Sequence, residues 1–130
     1  MTDPASPAAV VQRQLDAFNA RDVDALLATY APDAELYAHP HELLARGHAA
    51  LRERFTARFL EPNLHAALRN RIVIGDHVYD HEIVTRTFPD GPGTLEVVML
   101  YEVKAGRIAK SWSLPSVKKV PPGNSALSRA

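Results

Sequence analysis

The chain changes its hydrophobic period halfway along. In the first half apolar residues recur every three to four positions, the spacing of one helix face. Val11, Leu15 and Phe18 mark a first helix to about Ala20, opened by Ser6-Pro7 with a capping hydroxyl and a proline in the first turn. Asp22 can cap a second helix through Leu26, Leu27 and Tyr30, and Pro32 predicts its end, because the residue before proline avoids the helical region. Ala34 to Ala38 reads as a short strand, and Gly47 opens a third helix with Leu51, Phe55 and Phe59 on one stripe, closed by Pro62. In the second half the period falls to two. Strands are predicted at about 64–74, 77–88, 94–104 and 107–115, punctuated by Gly75-Asp76, Pro89-Asp-Gly-Pro-Gly93 and Ala105-Gly106. Helices first and a meander of long strands after them predict an α+β domain, three helices packed on a strongly curved mixed or antiparallel sheet. The expected domain spans residues 7–118, between a loose start (1–6) and a Pro/Gly/Ser-rich tail (119–130).

Strand faces follow from alternation. On the 77–88 strand Tyr79, His81, Ile83 and Thr85 share one face, with Val78, Asp80, Glu82, Val84 and Arg86 on the other. On the 94–104 strand Val97, Met99, Tyr101 and Val103 oppose Glu96, Val98, Leu100 and Glu102. We expect the faces bearing His81 and Tyr101 to line the hollow of the curved sheet. Asp80, Glu82, Arg69, Arg71 and Arg86 then become cross-strand partners outside. Val98, Leu100 and, on the next strand, Trp112 and Leu114 are more apolar than a wet face should be. That face is therefore expected to be covered, most simply by a second copy in a homodimer through Val98, Leu100 and Trp112.

Composition narrows the partners. Fifteen basic and fifteen acidic side chains cancel, which argues against a nucleic-acid or anionic-membrane surface. There is no cysteine, so no disulfide, thiol nucleophile or thiolate metal site, which fits a cytoplasmic location. No apolar run reaches the roughly 18 residues of a membrane helix, and Met1-Thr-Asp-Pro4 lacks the positive start of a signal peptide. His39, His41, Glu42 and His48 match no standard metal spacing. Neither a metal nor another cofactor is expected.

The stretch Val10 to Tyr37, above all Asn19, Ala20, Asp22, Asp24, Ala25, Tyr30, Ala31, Asp33 and Ala34, resembles the opening of SnoaL-like proteins of the NTF2-like superfamily. The Gly47-led helix and Tyr101-Glu-Val-Lys-Ala-Gly-Arg-Ile108 extend the resemblance over residues 8–115. It implies a sheet wrapped around a conical pocket behind three helices, often paired sheet to sheet. The fold hosts unrelated activities. Among its enzymes the nearest pattern is ketosteroid isomerase, and there the resemblance places Gln14 at the helix tyrosine, His39, before Pro40, at the base, and Met99 near the late-strand acid. All three chemistries differ, so steroid isomerisation is not implied.

The candidates are therefore His39 and His81 as proton carriers, with Tyr101 and Gln14 stabilising a substrate oxygen. Phe18, Tyr30, Phe55, Phe59, Tyr79, Ile83, Val97 and Met99 are the expected pocket wall. Two functions follow. One is proton transfer (isomerisation, cyclisation or dehydration) on a small hydrophobic carbonyl compound. The other is a non-catalytic ligand-binding or dimerisation module.

Overall fold

The computed structural model of the chain describes residues 3–114 and the backbone of 117–119. Residues 1 and 2, and all of the expected tail except the backbone of Lys119, lie outside the described residues. Helix α1 (Pro7–Ala20) starts where Ser6 accepts from the Ala9 N–H and proline fills the first turn. It stops at Arg21, which takes the left-handed conformation. Helix α2 (Val23–Ala28) is capped by the Asp22 carboxylate. The motif Asn19 to Asp22 thus serves the fold throughout. The Asn19 amide donates to Ala66 O and its carbonyl accepts from Ala66 N, each at 2.8 Å. The Arg21 guanidinium satisfies the carbonyls of Phe59, Glu61, Pro62 and Leu64.

Strands β1 (Tyr30–Ala38) and β2 (Glu42–Arg46) form a hairpin, followed by α3 (Gly47–Arg58) and then β3 (His65–Ile74), β4 (His77–Phe88), β5 (Gly91–Lys104) and β6 (Arg107–Ser113). Several features differ from the expected elements, among them a short further strand at Val117–Lys119 and the start of β5 at Gly91. Tyr30 opens β1 instead of ending α2, because Thr29 already closes the helix by bonding Leu26 O with its hydroxyl. Strand β2 is additional, and it carries no clean alternation that would announce it. The sheet runs β2-β1-β6-β5-β4-β3, all antiparallel except the β1–β6 pair, and β7 (Val117–Lys119) pairs with the start of β5. It is the mixed sheet expected, with helices over one face. The Ala105-Gly106 turn has positive φ at both central residues, the mirror-image geometry that matches strand twist.

The largest correction concerns β4. Tyr79, His81 and Ile83 lie on the convex face, and Val78, Asp80, Glu82, Val84 and Arg86 on the concave one. Directly opposed residues point the same way, and β5 sets Val78 against Tyr101, Asp80 against Met99, Glu82 against Val97 and Val84 against Leu95. Arg71 of β3 stands opposite Asp80 and follows it inside. The cause is the turn. The expected strands leave a five-residue connection, residues 89–93, whereas β4 and β5 are joined by Pro89 and Asp90 alone. A connection shorter by an odd number of residues turns every side chain over.

The core is one cluster between α1, α2, α3 and the concave face, built on Val10, Val11, Leu26, Leu51, Val78 and Ile108. At its end Phe18, Phe55 and Phe59 meet edge to face or tilted, centroids 5.5–6.4 Å apart, with Tyr30 against Phe55. No helix among the described residues is long and apolar enough to cross a membrane.

Candidate active site

Between the concave sheet, α1 and α3 lies a cavity of about 270 Å³. Its walls are largely apolar: Leu15 and Phe18 from α1, Leu36 from β1, Phe55 from α3, and Leu95, Val97 and Met99 from β5. Of the expected wall, Phe18, Tyr30, Phe55, Val97 and Met99 line it. Phe59 is buried behind them in the aromatic cluster. Tyr79 and Ile83 are on the other side of the sheet, by the β4 register just described.

Polar groups converge on this hollow from three elements. Gln14 projects from α1, Tyr30 from the start of β1, and Tyr101 from β5. The Tyr101 hydroxyl donates to Gln14 Oε1, and Gln14 Nε2 donates to the Tyr30 hydroxyl, both at 3.4 Å. Tyr30 accepts in that chain, so its own O–H proton can go to Ser111 beside it or to the oxygen of a ligand. Burial holds both phenols well above their ordinary pKa. They are therefore donors, never phenolates, across the physiological range. The structure brings Gln14 and Tyr101 together.

Glu82 is the residue that sequence reasoning places on the wrong face. It sits in the concave wall, 5% exposed, and its carboxyl makes no hydrogen bond to any described side chain or backbone group. No buried side-chain oxygen or nitrogen among the described residues lacks a partner, so the carboxyl oxygens must open onto the cavity. Burial, and then the charge of neighbouring Asp80, raise its pKa from 4.5 to about 7, against a smaller opposing pull from Arg71. Asp80 itself is fully buried, but paired: Arg71 Nε reaches its Oδ1 at 2.7 Å and Nη2 its Oδ2 at 2.9 Å, while Arg71 Nη1 holds Gln12. Two adjacent inward carboxyls thus have different surroundings. One sits in the fork of a guanidinium, and the other is left poised near neutrality.

The histidines lie elsewhere. His81 is on the convex face, its Nε2 2.7 Å from Glu96 Oε2. His39 is exposed in the turn between β1 and β2 and does not border the cavity. No motif in the chain marks Glu82. Its only signal is the phase of β4, which a two-residue Pro89-Asp90 turn would have revealed.

Comparison with known proteins bears on this arrangement. The family model of the SnoaL-like domain matches residues 11–111. A search of curated proteins finds no match. Among solved structures, an uncharacterised cystatin-fold protein from Novosphingobium aromaticivorans is 24% identical with a TM-score of 0.75, over 85% of this chain and 98% of that one. A Sinorhizobium meliloti protein for which polyketide cyclase activity is proposed is 28% identical with a TM-score of 0.67, over 80% and 92% of the two chains. A Catenulispora acidiphila protein with a ketosteroid isomerase-like fold, in complex with trimethylamine, is 17% identical with a TM-score of 0.73, over 85% and 88%.

Proposed function

The chain belongs to the SnoaL-like domain family, and we propose that its cavity binds a small hydrophobic carbonyl compound and moves a proton on it, with Glu82 as the proton carrier. The observation that carries this reading is a carboxyl without a hydrogen-bond partner, in an apolar hollow, with a pKa of about 7. A group that titrates near the working pH is useful in both directions. As carboxylate, Glu82 takes a proton from the carbon beside the carbonyl. The C–H electron pair moves into a C=C bond and the carbonyl π pair onto oxygen. The Tyr30 hydroxyl donates to that oxyanion, oriented by Gln14 and, through it, Tyr101. Glu82, now the acid, returns the proton at the same or another carbon, or the enolate closes a ring or expels a leaving group. Isomerisation, cyclisation and dehydration share this first step. The cavity lies just under the about 300–1,000 Å³ usual for ligand sites, which suits a one- or two-ring compound.

The test is hydrogen exchange on a probe. 2-Tetralone in deuterated buffer is expected to lose its α-protons faster with protein than without, along a rate profile with a midpoint near pH 7. Glu82→Gln should keep binding and lose the acceleration. Binding by the wild type without any acceleration would leave a ligand-binding protein and remove the catalytic reading.

Two copies of the chain are also proposed to pair through the convex face. A row of cross-strand neighbours runs Ile72, Tyr79, Leu100, Trp112, Tyr37 across five strands. Trp112 stacks on Tyr37 with centroids 5.8 Å apart, and Ile72 is half exposed. An apolar belt of that length on a sheet face calls for a cover.

A further inference from the structure

Where the cavity meets the surface, three guanidiniums gather: Arg54 and Arg58 from α3 and Arg86 from β4 all line it. Arg54 and Arg58 also line the open groove that continues past Leu44 and Ala57. Among the described residues only one carboxylate answers them at close range. Glu61 takes Arg86 in a fork, Nε to Oε1 at 2.8 Å and Nη2 to Oε2 at 2.7 Å, and lies 3.8 Å from Arg58 Nε. Arg54 makes no hydrogen bond or ion pair with the described residues, and Glu53, beside it in the groove, is exposed. Arg58 is partly desolvated, which lowers its pKa, and the nearby charges of Arg86 and Arg54 lower it further. Like charges brought together around a single counter-charge leave donors unused and a field unneutralised.

The same cavity wall joins these cations to the proton carrier. Glu82, Val84 and Arg86 are alternate residues of one strand, all on the cavity face. At about 3.3–3.4 Å per residue, Glu82 and Arg86 are about 13 Å apart along the strand, with an apolar step between them. Building on the proposed function, we infer that the substrate is an organic anion, a carbonyl compound whose apolar body fills the cavity and whose carboxylate is held by Arg54 and Arg58 at the groove end. Arg86 serves differently, because Glu61 already occupies its fork and the Thr87 N–H anchors the same carboxylate. It positions Glu61 and adds field. A planar fork of donors suits a carboxylate better than a neutral carbonyl.

The test uses a matched pair of probes. 2-Naphthoate and 2-naphthamide have the same body and differ in charge. Calorimetric titration of the full chain is expected to show 2-naphthoate binding about tenfold or more tightly, with the advantage shrinking as salt rises. Arg54→Gln and Arg58→Gln should each erase most of that advantage and leave 2-naphthamide affinity unchanged. Inorganic phosphate at millimolar concentration should not displace 2-naphthoate, and displacement would mean a general anion site and overturn the carboxylate assignment. Equal affinity for the two probes, or a preference untouched by either substitution, would also overturn it. In that case Glu82-dependent exchange on neutral 2-tetralone would still stand, so the two proposals fail separately.

Discussion

Replacing Glu82 by glutamine should make the protein more stable at alkaline pH and change little at acid pH. The folded chain raises this carboxyl from 4.5 to about 7. Between those values the folded state keeps a proton that the unfolded chain has released, so stability falls as pH rises through the window and is level outside it. A rise from 4.5 to about 7 corresponds to roughly 3 kcal/mol of destabilisation, fully present above pH 7. A glutamine side chain has the same shape and no charge to desolvate, and it removes the repulsion with Asp80. Urea unfolding of wild type and Glu82→Gln at pH 5 and pH 8 isolates the effect. Groups common to both proteins cancel in the difference, and Glu61, held low first by Arg86, titrates below the interval. The variant's advantage should grow by about 2–3 kcal/mol from pH 5 to pH 8, on the order of 10 °C in Tm for a chain of this size. Stability gained by deleting a group is the mark of a residue kept for function. An advantage that stays constant between the two pH values would refute the assignment, because Glu82 would then be solvated like any surface carboxylate.

Other variants probe the surrounding structure. Arg71→Met should cost roughly 3–5 kcal/mol in urea unfolding by orphaning the buried Asp80 charge; adding Asp80→Leu should recover most of it. Asn19→Ala leaves the Ala66 N–H and C=O without their partner, and about 2 kcal/mol of stability should be lost, with circular dichroism at low temperature unchanged. Trp112→Glu or Val98→Asp should turn a sedimenting dimer into monomer or insoluble protein. Dimers of unchanged mass would remove the convex face as the contact. His81→Gln should leave 2-tetralone exchange intact, since the ring faces away from the cavity.

Much of the architecture is legible because it is written in local chemistry. Ser6-Pro7, Asp22 and Ala105-Gly106 each fix a terminus or turn by their own geometry, and three of the four late strands end within a residue or two of their predicted limits. The strand–turn–strand between β4 and β5 is not legible in that way. Pro89-Asp-Gly-Pro-Gly93 holds enough turn formers for either a long loop or a tight turn followed by a strand that tolerates proline and glycine. Gly91 to Gly93 in fact pair with Phe88, Thr87 and Arg86. Of the cavity wall, Tyr101, Met99 and Val97 share the face of β5 that alternation assigns to one side, and Gln14 stands out through the family resemblance. Arg54 and Arg58 read as the wet side of α3, because four-residue spacing of cations is ordinary on a solvated helix.

The inverted phase of β4 shows what the strand conceals. Judged by hydrophobicity, the face with Tyr79 and Ile83 is a better interior than the one with Asp80, Glu82 and Arg86. The protein puts the charged face inside, and each charge there has a reason. Asp80 is answered by Arg71, Arg86 by Glu61, and Glu82 has only the cavity. Turned outward, Tyr79 joins Leu100 and Trp112 on the convex face. The inverted strand therefore places Glu82 in the cavity and widens, through Tyr79, the face proposed above for a second copy. Restoring the expected phase would bury Tyr79 and Ile83 and fill the hollow, giving a drier core with no poised carboxyl. The local rule is broken where a functional site should break it.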